Sequence, residues 1–201
     1  GLFKDTFHFW LIGILSSLYV GMDYFFAAHF LENLEINAYH IYSRIFFISF
    51  IFYYAYVQYS AKNISKYNLI GQNAKIKNIA KTSIFIGFLM VTIMFLIAML
   101  CNYIGLISLI TNGIEIQNSI LLLAFIYYII RVLRDVILVI MKCVNQINKL
   151  LVIHIIEVCL VLILLSGLVP FYGLKGIFIS FSLSSIIGLG YLFISERKKI
   201  F

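Results

Sequence analysis

Thr82 to Tyr103 reads TSIFIGFLMVTIMFLIAMLCNY, a run without one charged side chain. A helix needs about 20 consecutive apolar residues to cross the hydrocarbon of a bilayer, and this run supplies them. In lipid every backbone N–H and C=O must be paired internally, so only a helix or a closed barrel can span. A barrel strand alternates apolar and polar residues over about ten positions. The run shows no such alternation, and it reads as a transmembrane helix.

Five further runs of the same kind lie on either side: approximately 7–31, 38–59, 119–141, 150–168 and 173–195. With 82–103 they predict an all-α membrane protein built as a six-helix transmembrane bundle. The composition agrees. Of 201 residues, 63% are hydrophobic and 11% charged, against about 25% charged in soluble domains. A soluble chain of this size has too little interior for so much apolar surface, and disorder requires the opposite balance. The net charge of +7 does not point to nucleic acid, because the basic residues are scattered between apolar runs; a membrane is the partner they fit.

The charges between the runs alternate. Glu32 and Glu35 follow the first run without any base. Lys62, Lys66, Lys75, Lys77 and Lys81 follow the second. Glu115 follows the third, Lys142 and Lys149 flank the fourth gap, Lys175 stands in the fifth, and Arg197, Lys198 and Lys199 close the chain. With the tail, Lys4 and the even-numbered gaps on the cytoplasmic side, eleven of the fifteen bases are inside, one is outside and three lie within runs. The positive-inside rule is then met with both ends cytoplasmic, as an even number of crossings requires. Residues 60–81 form a basic link with interspersed Ile64, Tyr67, Leu69, Ile70, Ile76 and Ile79. Either it is an amphipathic helix along the inner membrane surface, broken at Gly71, or it is a solvated loop that only sets topology.

Six charged residues fall well inside the runs: Asp23, Arg44, Arg131, Arg134, Asp135 and Glu157. Such residues are costly in lipid and face the bundle interior or a water-filled cavity. At about 1.5 Å per residue, Asp23 lies about 12 Å and Arg44 about 9 Å below the same surface. They mirror each other about the first turn, so they are candidates to pair. Arg134 and Glu157 mirror each other about Asn145 and Gln146 and should reach matching depth. Arg131, Arg134 and Asp135 share one helix face. Arg131 is nearest mid-membrane, and Asp135 alone cannot satisfy two arginines, so Arg131 has the strongest claim to line a cavity. His40 and Arg44 share a stripe with Phe47, Ile51, Tyr54 and Gln58 that either lines a cavity or packs. Gly176, Ser180, Ser184 and Gly188 recur every fourth residue, the pattern of a close helix-packing seam, with Ser16 and Ser17 marking a weaker one.

Catalytic and phosphate-binding motifs are missing, and Cys101, Cys143 and Cys159 have no metal-binding spacing. No cofactor or metal is expected, and no enzyme activity. Pro170, the single proline, is expected in a loop. The chain begins at Gly1, which suits part of a longer protein.

Asp23 in the first helix is followed by an acidic turn and then by Ala38-Tyr39-His40-Ile41-Tyr42-Ser43-Arg44-Ile45; Tyr172-Gly173-Leu174-Lys175-Gly176-Ile177 leads into the last helix before a basic tail. Across nearly its whole length the chain resembles the C-terminal half of Wzx-type polysaccharide (O-antigen) flippases, in the superfamily that includes the multidrug-and-toxin extruders. The resemblance implies one lobe of a twelve-helix transporter, whose other, N-terminal six-helix lobe is not in this sequence. It implies translocation of an undecaprenyl diphosphate-linked oligosaccharide across the bacterial inner membrane by alternating access, with membrane lipid, that lipid-linked sugar and a polysaccharide polymerase as partners. Arg44, Arg131 and Arg134 would contact the substrate; Asp23, Asp135, Glu157 and His40 would carry a coupling proton or pair with the arginines. Within the runs, however, three acids offset three arginines. Two other classes stay open: a cation-coupled multidrug extruder lobe, and a membrane enzyme acting on lipid-linked sugars.

Overall fold

The computed structural model describes residues 2–111, 113–114 and 116–196, with the side chains of residues 2–5 and 193–196 left aside. Lys4 as a charge, Glu115 and the basic tail Arg197 to Lys199 therefore lie outside the described residues. Seven helices follow in order: α1 (Leu2–Phe30), α2 (Asn33–Leu69), α3 (Asn73–Tyr103), a short α4 (Leu106–Ile110), α5 (Asn118–Cys143), α6 (Ile147–Tyr172) and α7 (Leu174–Glu196). Among the described residues there is no strand, and the chain is all-α. Among the described residues four stretches are long and apolar enough to cross a membrane: Thr6–Phe30, Asn73–Tyr103, Ile147–Tyr172 and Leu174–Leu192. α5 misses that standard because no 18-residue stretch of it escapes Arg131, Arg134 and Asp135 together.

The basic link, residues 60–81, is helical on either side of a break at Gly71. Its residues continue α2 to Leu69 and begin α3 at Asn73. Extending an existing helix adds one hydrogen bond per residue fixed, whereas a new helix needs its own nucleus. The reversal is confined to Ile70–Gln72, where Gly71 has φ +70°, a left-handed conformation that glycine takes without cost. Pro170 also differs from expectation. It lies inside α6, in its last turn. The reversal into α7 falls three residues later at Gly173, whose φ of +55° with ψ of −134° again suits glycine, so the helix runs on past the proline. Glu35 Oε1 lies against that turn, 3.2 Å from where a Cβ on Gly173 would stand, an acid set beside the positive end of α7.

α5 is the hub, packing against α2, α3, α6 and α7. α1 packs mainly on α6, and α6 on α7, while α2 packs on α3. The close approaches are made where side chains are small. A Cβ on Gly87 of α3 would stand 2.5 Å from Val132 Cγ1 and 2.8 Å from the Tyr53 ring. One on Gly176 of α7 would stand 2.6 Å from the Leu168 carbonyl oxygen of α6. Tyr53, fully buried between them, donates its hydroxyl to the Val132 carbonyl at 3.0 Å. Although α1 and α2 are consecutive, they touch little. They part below their turn, and the gap between them exposes one face of α5.

Candidate functional site: a charged cleft on α5

The gap is a cleft of about 560 Å³ walled by α1, α2, α5 and α6. α5 supplies Arg131, Arg134, Asp135, Leu138, Val139 and Lys142, positions that fall on one face by their 3.6-residue period. Arg131 and Lys142 are eleven residues apart on it, about 16 Å by helical rise. α2 contributes Tyr54, Gln58 and Ser65, α1 contributes Ser16 and Tyr19, and α6 contributes His154. The cleft thus runs from mid-helix toward the end of the bundle that bears Lys62, Lys66 and Lys142.

The two arginines of α5 differ in what they have left to offer. Arg134 meets Glu157 as a two-pronged pair, Nε to Oε1 and Nη2 to Oε2, both at 2.6 Å. Its Nη1 donates to Asp135 Oδ1 at 3.1 Å, and the Tyr19 ring lies 4.5 Å from its guanidinium carbon. Glu157 is only 1% exposed, and two parallel charge-assisted bonds are the arrangement that lets such a carboxylate stay ionised away from water. Arg131 stands in contrast. Its guanidinium lies over the rings of Phe50 (4.9 Å) and Tyr128 (5.9 Å). Nη1 donates to the Tyr127 hydroxyl at 3.3 Å. Nε is 3.7 Å from Asp135 Oδ2, too far for a hydrogen bond, and has no hydrogen-bond partner. Its side chain keeps 28% exposure. Of an arginine's five N–H donors one is engaged, by Tyr127, and Arg131 lines the cleft.

The remaining sequence candidates are distributed as follows. Asp23 and Arg44 do not pair. Asp23 accepts a hydrogen bond from the Tyr39 hydroxyl and one from the Tyr24 backbone N–H at 2.7 Å. Arg44 is exposed on the outside of α2 beside Phe47 and Ile48, both more than half exposed, and does not line the cleft. His40 is half-buried with its ring 5.1 Å from that of Tyr24, away from the cleft walls. The four-residue seam faces inward: Ser180 and Ser184 are fully buried. A Cβ on Gly188 would stand 2.8 Å from Glu157 Oε1, so this glycine leaves the room in which the carboxylate sits.

Sequence reasoning places His154 near the end of its run but gives neither it nor Tyr19 a role. His154 Nε2 lies 3.2 Å from Ser16 Oγ of α1, and Nδ1 lies 3.6 Å from Glu157 Oε2. The Tyr19 hydroxyl lies 3.0 Å from Ser185 Oγ. The histidine carried a usable signal, since it precedes Glu157 by three residues and so shares its face. Among the described residues no group of three or more His, Cys, Asp or Glu is placed to hold a metal ion. A second groove, about 1080 Å³, lies on the other side of α1 along Gly13, Ser17 and Gly21; its lining carries no charge. No family model, curated protein or solved structure matches the chain.

Proposed function

We propose that the chain is one lobe of a membrane carrier that moves an anionic, lipid-linked oligosaccharide across the bacterial inner membrane, as the resemblance to polysaccharide flippases implies. The observation that carries it is Arg131, a mid-helix arginine with unengaged donors at the inner end of a cleft. In this reading α1, α2, α3, α5, α6 and α7 all cross the bilayer. α5 crosses with its charged face turned to the cleft, the arrangement that makes charges tolerable in lipid. The positive-inside rule puts the mouth beside Lys142 on the cytoplasmic side, where a substrate assembled on cytoplasmic precursors is collected. A diphosphate suits a guanidinium fork, and Lys142, about 16 Å along the same face, offers a second cationic contact near the mouth. A second six-helix lobe would close the cleft's open side and complete an alternating-access path. The drug-extruder alternative asks for a carboxylate free to take a cation. Glu157 already faces Arg134, Asp135 on the cleft wall faces both arginines, and Asp23, held by Tyr39, does not line the cleft, which speaks against it.

The test is Arg131→Ala in the intact protein in its host. Surface polysaccharide should be lost while protein abundance in the membrane stays normal. Normal polysaccharide at normal abundance would remove Arg131 from the path.

A further inference from the structure

His154 is buried, with 6% of its surface exposed, yet its imidazole reaches the cleft wall. The charged and titratable groups around it come from three elements. α6 itself presents Glu157, three residues on. α5 presents Arg134, which holds Glu157, together with Asp135 and Arg131. α1 presents Ser16 on the imidazole and Tyr19 beside Arg134. α7 presents Ser184, Ser185 and Gly188 at this level, none of which titrates in water.

These groups settle the charge of the site. Arg131 and Arg134 are balanced by Asp135 and Glu157, two against two. Asp23 accepts from Tyr39 and does not line the cleft, and Lys142 is exposed at the mouth. An anion arriving at Arg131 therefore leaves the inner cleft with one negative charge in excess, in surroundings where uncompensated charge is costly. Arginine does not deprotonate in proteins, so the compensating proton cannot come from changing an arginine. Imidazole is the side chain whose charge changes between about pH 5 and 8.

The geometry around His154 accommodates both of its states without moving the backbone. The Ser16 hydroxyl either donates to Nε2 or accepts from it. The Nδ1 edge faces a carboxylate oxygen in either case. Proton uptake converts a neutral ring into a cation that donates to Ser16 and lies against Glu157. Glu157 then shares its charge between His154 and Arg134, which frees positive field toward the cleft.

We propose that His154 takes up a proton from solution when an anion occupies the cleft, so that ligand and proton bind together. The proposal rests on the cleft being an anion site, and the experiment separates the two ideas. Octyl sulfate serves as probe: it is an amphiphilic anion that does not itself titrate between about pH 5 and 8. The protein is held in an uncharged detergent, and calorimetric titrations are run in buffers of different ionisation enthalpy, which count protons taken up per ligand. The wild type should bind saturably, take up close to one proton per ligand near neutral pH, and lose affinity by about tenfold or more between pH 5.5 and 8. His154→Gln should bind with a flat pH profile and no proton uptake, while Ser16→Ala, which keeps the imidazole, should retain uptake. Saturable, Arg131-dependent binding without proton uptake in the wild type overturns the role of His154 and leaves the anion site standing. Undiminished uptake in a folded His154→Gln protein does the same. Absence of saturable binding overturns both.

Discussion

Two hairpins of this bundle carry the same arrangement and resolve it oppositely. In α1–α2, Asp23 and Arg44 mirror each other about the connecting turn. In α5–α6, Arg134 and Glu157 mirror each other about theirs. The α5–α6 pair closes with two bonds of 2.6 Å; the α1–α2 pair does not form, and Asp23 bonds to Tyr39 instead. Mirror position fixes only depth, through the rise per residue. Direction around the helix axis is the second requirement, at about 100° per residue. Tyr39 and Arg44 are five residues apart, about 140° around α2, so when Tyr39 faces α1, Arg44 faces away. Glu157 and His154 are three apart, within about 60° of each other, and both turn inward.

The contrast is broken most directly at the closed pair. Glu157→Ala leaves Arg134 buried with one acid in place of two, and removing one partner of a buried pair costs about 3–5 kcal/mol. The unfolding midpoint in detergent should fall steeply; an unchanged midpoint would mean that the pair holds nothing together. Gly188→Ala sharpens the same point from the other helix. Its new Cβ would stand 2.8 Å from Glu157 Oε1 and 3.0 Å from Cγ, a crowding that costs about 1–3 kcal/mol. Combined with Glu157→Ala, the loss should be smaller than the sum, since the clashing carboxylate is gone. At the open hairpin the effects are smaller. Tyr39→Phe removes one hydrogen bond to Asp23 and should cost about 1 kcal/mol. Arg44→Ala should change stability by no more than about 0.5 kcal/mol. A loss at Arg44 as large as that at Glu157 would show that the Asp23–Arg44 pair forms after all.

The same distinction marks what the chain's sequence reveals. Helices are legible because an apolar run of span length allows few alternatives in lipid, and depth is legible because rise is constant. The matched depth of Arg134 and Glu157 follows from counting alone. The exposure of Arg44 does not, because it depends on α1 packing against α6 in preference to α2, a choice made by non-local contacts. The cleft is illegible for the same reason: it exists where α1 and α2 separate. Residues 60–81 read as a surface element because of their lysines and asparagines. They are helical because they extend α2 and α3, and extension needs no new nucleus. Pro170 reads as a loop residue by propensity, yet Gly173 beyond it supplies the reversal.

The length of α2 has a mechanical consequence. Its 37 residues make a rod of about 55 Å, against about 30 Å of hydrocarbon. Tyr54, Gln58 and Ser65 on this rod form a wall of the cleft, and the rod continues unbroken to Leu69, whose side chain is 87% exposed. That end is joined to α3 through the Ile70–Gln72 turn, so it moves with the wall and with α3. Any change in the cleft's width that tilts α2 is magnified at Leu69, where a spectroscopic label would follow the swing without touching the cleft.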